Sequence, residues 1–139
     1  MKSIILNSIA ILGGLVLGSV VNMGLISLGG EIVPPPAGAD VSTMEGLEKA
    51  MPLFMPKHFV FPFLAHSLGT LAGAVFAAKV AVTHKLIIAF VIGVAFLAGG
   101  IAMVISLPSP IWFNSLDLIG AYLPMAYLGY KFVKRNDSP

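Results

Sequence analysis

The stretch "FLAHSLGTLAGA" (Phe63–Ala74) places a histidine within an apolar run rich in glycine and alanine. On a helix, the residues three, seven and eleven positions after His66 share its face. These residues are Gly69, Gly73 and Ala77. Small residues at this spacing let a second helix approach the backbone closely, as membrane helices do. We therefore predict a transmembrane helix with a small-residue groove and an imidazole at one end.

The composition indicates an integral membrane protein. Of 139 residues, 58% are hydrophobic and 10% are charged, which is more apolar than a soluble domain of this size requires. The formal net charge is +2, but the basic residues flank apolar segments and so act as topology signals, and we expect no nucleic-acid partner. The chain has no cysteine, which excludes disulfides, thiolate metal sites and thiol redox chemistry.

Four apolar segments are long enough to cross a hydrocarbon layer, which takes about 20 helical residues. They cover residues 4–29, 59–80, 86–107 and 111–133, with a long connection over residues 30–58. The first segment is too long for a signal peptide and lacks a small-residue cleavage site, so we expect it to be retained. The predicted fold is all-α, a four-transmembrane-helix bundle in which residues 1–139 form one membrane domain with the lipid bilayer as solvent.

The basic residues predict the orientation of this bundle. Those expected on one side are Lys2, Lys79, Lys85, Lys131, Lys134 and Arg135. The other side carries Lys49 and Lys57 among four acidic residues. Since lysine and arginine accumulate on the cytoplasmic side, both termini are expected in the cytoplasm and residues 30–58 outside it.

The long connection has its own local signals. Residues Pro34–Pro36 predict an extended strut, and Gly38 allows the chain to change direction after it. The spacing of Ser42 and Glu45 fits a capping box, which predicts a short helix stopped by Pro52. We expect this helix to lie on the outer membrane surface.

Three polar residues are predicted at one depth within the membrane. Asn22, His66 and Asp117 each lie seven residues inside the outer boundary of their segment, which corresponds to roughly 10 Å at the helical rise. A charged group there is costly, so His66 and Asp117 should pair with each other. Asn22 would satisfy the remaining valences, and Asn114 and Thr70, one helical turn away, would form a second layer.

This constellation has two interpretations. The first is an interhelical hydrogen-bond clamp, which we prefer because the neighbouring glycines commit the same face to helix contact and leave little room for a ligand. The second is an ion, proton or small-ligand site open to the outside. Two further histidines, His58 and His84, each lie beside a lysine at a helix end and are expected to be interfacial. Neither forms a metal-binding pattern, so we predict no metal site and no cofactor.

The glycine pattern predicts how the helices pair. Gly14 and Gly18 form a stripe on the first segment that matches Gly69 and Gly73 on the second. We expect these stripes to pack against each other. Pro124, in the fourth segment, predicts a kink there. The tyrosines and Trp112 are expected to be packing or interfacial residues.

The combination "PPPAGAD", "AHSLGTLAGA" and "LPSPIWF" resembles an uncharacterised family of small four-helix bacterial inner-membrane proteins. The resemblance extends from about Pro34 to the end of the fourth segment. It implies the same architecture and a bacterial inner membrane, and it transfers no catalytic residue, because its motifs consist of proline and small residues.

Three functional classes follow. We prefer a non-enzymatic helix bundle that associates with itself or with another membrane protein as an accessory subunit. The alternative is a small transporter or channel that uses His66, Asp117 and Asn22. An enzyme is not expected, since no nucleophile, base and oxyanion donors occur together in the sequence.

Overall fold

The computed structural model describes residues 1–136, which fold into six α-helices. These are α1 (Lys2–Ile32), α2 (Met44–Ala50), α3 (Val60–Val80), α4 (Lys85–Ser106), α5 (Ile111–Gly120) and α6 (Leu123–Asn136). Two short 3₁₀ turns, Met51–Leu53 and Pro56–Phe59, connect α2 to α3. No strand occurs within residues 1–136, and the predicted all-α class is confirmed.

Three helical stretches are long and apolar enough to cross a membrane. They are Lys2–Ile32, Pro56–Val80 and Lys85–Ser106. They correspond to the first three predicted segments and support the predicted membrane protein. Because residues 30–32 remain helical, α1 is longer than predicted.

The fourth predicted segment is not one continuous helix. It divides into α5, with 10 residues, and α6, with 14. The physical reason is Pro124, which has no backbone N–H to donate to the Gly120 carbonyl and whose ring would collide with that carbonyl in an unbroken helix. The chain therefore leaves the helix at Ala121 and Tyr122, where the sequence predicted a kink.

The central helix is α3, which packs against α1, α4 and α6. Its contact with α1 is the predicted glycine pairing, which is confirmed. A Cβ added at Gly14 would lie 2.7 Å from the Gly73 carbonyl oxygen, and one added at Gly18 would lie 2.7 Å from that of Gly69. The two backbones touch along this line, which we call the glycine seam.

The two ends of the bundle differ. The end that carries residues 33–59 and the α4–α5 turn is called the loop end, and the opposite end, with Lys2, Lys79 and Lys85, is called the basic end. At the basic end, the Asn7 side chain donates to Thr83 Oγ1 at 2.9 Å and accepts from the Val82 N–H at 3.1 Å. This fixes α1 to the α3–α4 turn.

The connection at the loop end contains the expected short helix, but its cap is different. Thr43, not Ser42, is the N-cap of α2, and its hydroxyl accepts from the Gly46 N–H at 3.0 Å. Ser42 instead donates from its hydroxyl and its N–H to Asp40 Oδ1, at 2.6 Å and 2.9 Å. The predicted change of direction at Gly38 is confirmed by its positive φ of 80°.

Candidate functional site

The predicted pair of His66 and Asp117 is present. His66 Nδ1 lies 2.8 Å from Asp117 Oδ1 and 2.9 Å from Oδ2, joining α3 to α5. The Asp117 residue is only 3% exposed. A buried carboxylate without a partner would be costly, and the imidazole Nδ1–H supplies one.

Tyr122 is a third member of this cluster, although the sequence predicted only a packing or interfacial tyrosine there. Its hydroxyl donates to Asp117 Oδ2 at 2.7 Å and lies 3.1 Å from His66 Nδ1. The tyrosine is 1% exposed, and its hydroxyl lies directly against Gly100 of α4, where any side chain would collide with it. Because Tyr122 lies at the break between α5 and α6, the cluster ties that break to α3.

One nitrogen of the histidine is left for another molecule. Nδ1 is engaged with the carboxylate, whereas Nε2 has no hydrogen-bond partner among residues 1–136 and is not fully buried. The side chain is 20% exposed. A carboxylate on Nδ1 fixes the imidazole tautomer, so Nε2 accepts a hydrogen bond when the ring is neutral and donates one when it is protonated.

A cavity of about 390 Å³ opens beside His66 and Asp117. It lies between α1, α3, α4 and α5, and the connection from α2 to α3 covers it at the loop end. Its walls are mostly apolar, with residues such as Met103, Val104 and Phe113. A mostly apolar chamber with a few convergent polar groups is the usual form of a small-molecule site.

This cavity corrects the expectation that the glycines leave little room for a ligand. The glycine seam ends at Gly18 and Gly69, and the cavity begins beyond it at Asn22 and His66. Close packing and open space therefore occupy successive parts of the same helices.

The other predicted site residues are placed differently. Asn22 and Asn114 both line the cavity, but no hydrogen bond joins either to His66 or Asp117 within the described chain. The Asn114 amide donates to the Ser109 carbonyl at 3.2 Å and accepts from the Ser109 hydroxyl at 2.8 Å, which fixes the α4–α5 turn. Thr70 is fully buried, and its hydroxyl donates to the His66 carbonyl of its own helix at 2.7 Å. The predicted second layer is absent from residues 1–136.

His58 is also more than the interfacial residue that was expected. It is buried, its Nδ1 accepts the Met55 N–H at 2.9 Å, and its ring lies 5.3 Å from that of Phe54. It closes the second 3₁₀ turn and lines the cavity at the loop end. His84, in contrast, is exposed and is the N-cap residue before α4, with a positive φ of 52°.

The described residues contain no group of three or more side chains that would hold a metal ion. The chemistry available at His66, Asp117 and Tyr122 is hydrogen bonding and the holding of a proton.

Comparison with known proteins adds nothing to this geometry: no family model, curated protein or solved structure matches the chain. The resemblance carried by "PPPAGAD" and "AHSLGTLAGA" therefore stays a prediction.

Proposed function

We propose that this chain is a small integral membrane protein that binds a small molecule inside the membrane. One observation carries the proposal: a cavity of about 390 Å³ has the His66–Asp117 pair at its polar end, with Nε2 of the imidazole unpartnered within residues 1–136. A pure clamp needs no such space. We therefore favour the ligand site over the clamp, and binding rather than catalysis as its role.

The proposed topology has four membrane crossings, the fourth made jointly by α5 and α6. Support comes from α6, which runs back along α3: a Cβ added at Gly129 would lie 2.9 Å from that of Ala74. The lysines at the basic end support cytoplasmic termini. In this orientation the cavity lies in the outer leaflet of a bacterial inner membrane and α2 lies at the outer surface.

Catalysis is not part of the proposal. The cavity lining contains no lysine, arginine or cysteine, and the one serine in it, Ser109, is hydrogen-bonded to Asn114. Two other roles stay predictions: assembly, as a self-associating or accessory subunit, and transport of the bound molecule. The cavity is compatible with both roles and is evidence for neither.

Photolabelling tests the binding site. The full chain in lipid nanodiscs is irradiated with increasing amounts of trifluoromethylphenyl diazirine, a small neutral probe that dissolves in the bilayer, and labelled residues are mapped by mass spectrometry. We expect labelling around Val104 and Phe113 to saturate, because a cavity has a finite capacity. Labelling of lipid-facing residues should rise in proportion to the probe.

A matched pair of variants on α4 provides the control. Val104→Trp fills the cavity, whereas Val94→Trp makes the same change at a residue that is 55% exposed on the lipid side. The saturable component should disappear in the first variant and persist in the second. Proportional labelling everywhere, or saturation that survives Val104→Trp, would overturn the proposal.

The topology is tested separately. Because the chain has no cysteine, single cysteines can be introduced at Ser3, Ala39 and Asn136. We expect a membrane-impermeant maleimide, added outside intact cells, to label the cysteine at position 39 alone. Labelling at position 3 or 136 would refute cytoplasmic termini.

A further inference from the structure

We infer that the cavity takes an uncharged amphiphile, a molecule with a hydroxyl head group and an alkyl chain, drawn sideways from the surrounding lipid. The inference rests on the proposed function and names the ligand class of the same site.

The charge of the cavity argues against an ionic head group. No lysine or arginine lines it, so a buried phosphate, sulfate or carboxylate would find no cation there. The single acidic residue in the lining, Asp117, accepts from His66 and Tyr122, and its side chain is only 4% exposed, so a bulky cationic head group cannot reach it closely. His58 supplies no charge either: its Nδ1 accepts the Met55 N–H, which requires the ring to be neutral.

The unpartnered polar groups fit a hydroxyl. His66 Nε2 presents an acceptor or a donor according to the protonation of the ring, and Asn22, a residue that also lines the cavity, carries an amide with both. A hydroxyl both donates and accepts, so it completes a hydrogen bond with Nε2 in either state. A hydrocarbon without a polar head would leave these groups unsatisfied.

The walls and the opening fit an alkyl chain. The cavity reaches exposed residues of both α1 and α4, and a Cβ added at Gly99 of α4 would meet nothing within 4 Å. The residues that flank the opening both line the cavity and face the lipid: Met23 is 66% exposed and Met103 is 39% exposed. Methionine side chains adapt to the shape of a bound chain. A ligand can therefore keep its head at His66 and pass its tail between the two helices into the bilayer.

The test varies the head group and keeps the chain. Three photoreactive probes with a diazirine at the same position of a hexadecyl chain are compared in nanodiscs: hexadecanol, hexadecyl sulfate and hexadecyltrimethylammonium. We expect saturable labelling of Met103 and Val104 to reach half-saturation at an about tenfold lower concentration with the alcohol, since one hydrogen bond gained without burying a charge is an effect of this order. His66→Phe, which keeps a ring but removes Nε2, should abolish the preference.

The outcomes separate this inference from the proposed function. If the small neutral diazirine labels saturably but a charged head group binds as tightly as the alcohol or more tightly, the inference is overturned and the binding site stands. If neither the small probe nor the alcohol saturates, the proposed function fails as well. Should His66→Phe fail to fold, Asn22→Leu replaces it and is expected to reduce the alcohol preference in part; an unchanged preference there would count against the inference.

Discussion

The same two helices behave differently along their length. Between Gly14 and Gly18, α1 lies against α3 so closely that each backbone touches the other. A turn further toward the loop end, at Asn22 and His66, they border a cavity of about 390 Å³. The helices remain regular throughout, so the difference comes from the side chains that they carry.

Asn22 and His66 mark the point at which the close contact of the glycine stripes ends. Glycine stripes bring helices together because nothing stands between their backbones. Asn22 and His66 end the stripes on α1 and α3 with side chains of greater volume, and Pro62 lies beyond them. The two helices stay in contact here, since a Cβ added at Gly29 would collide with the Phe61 side chain, and the space lies beside Asn22 and His66. The Asp117 and Tyr122 contacts keep His66 in place.

The largest expected effect comes from adding a side chain within the glycine seam. Gly14→Leu places atoms where the Gly73 carbonyl oxygen and the Ala77 Cβ already lie, at 2.7 Å and 2.9 Å from a Cβ. Neither backbone can yield, so we expect a cost of about 3 kcal/mol, the upper end for overpacking. Thermal unfolding in detergent, followed by circular dichroism, measures it.

Gly24→Leu is the matched control for the seam. Gly24 lies on α1 as Gly14 does, but a Cβ added there would meet nothing within 4 Å. It should leave the unfolding temperature nearly unchanged. Equal effects of the two variants would show that the seam is not the tight contact described.

The polar cluster gives the next largest effect. Removing either partner, by His66→Leu or Asp117→Leu, deprives the other polar group of the hydrogen bond between them inside an apolar environment, at a cost of about 1–3 kcal/mol. Replacing both should cost less than the two single costs added together, because the second change removes the group that the first one orphaned. The free energies of unfolding of the four proteins measure this coupling. Strictly additive costs would show that His66 and Asp117 are not energetically coupled.

The seam could be predicted from sequence, and so could the pairing of His66 with Asp117. Small residues four positions apart mark a helix face whatever surrounds them, and an isolated acidic residue in an apolar run requires a partner. The cavity could not be predicted, because its volume depends on how side chains from α1, α3, α4, α5 and the connection before α3 pack around it, which no local pattern encodes. The predicted N-cap of α2 was wrong by one residue. Ser42 and Thr43 can both cap a helix, but the Ser42 hydroxyl donates to Asp40, which leaves Thr43 as the cap.

Tyr122 shows why the site itself was incomplete. In an unbroken helix, residues five apart are rotated by about 140°, which would turn Tyr122 away from Asp117. The break before Pro124 removes that constraint and brings the tyrosine hydroxyl to 2.7 Å from the carboxylate. Pro124 predicted a kink, but the direction in which a kink turns depends on the packing around it, here on the space left by Gly100.

A smaller effect is expected when only the third member of the cluster is changed. Tyr122→Phe removes one hydrogen bond to Asp117 and keeps the ring, so it should cost about 1 kcal/mol, less than either change in the pair. Tyr127→Phe is the control, because that tyrosine lies nearby on α6 and is 45% exposed. A cost for Tyr122→Phe as large as that of Asp117→Leu would mean that the tyrosine, and not the histidine, is the principal partner of the carboxylate.

The smallest effect is expected at the exposed carboxylate of the loop end, which contrasts with Asp117. Asp40 also accepts two hydrogen bonds, but it is exposed to water. The bond from the Ser42 hydroxyl has the larger effect and the bond from the Ser42 N–H the smaller one, and together they lower the pKa of Asp40 below its ordinary value. Since the folded pKa is lower than the unfolded one, the stabilisation is present above about pH 3.9 and is lost as the pH falls through the folded pKa. Ser42→Ala removes the stronger bond and should raise the pKa toward its ordinary value, which an NMR titration of the Asp40 carboxyl carbon measures. Because solvent competes for an exposed carboxylate, the unfolding temperature at neutral pH should hardly change, unlike in Asp117→Leu. An Asp40 pKa that is the same in Ser42→Ala as in the unchanged protein would show that the hydroxyl hydrogen bond does not affect this pKa in solution.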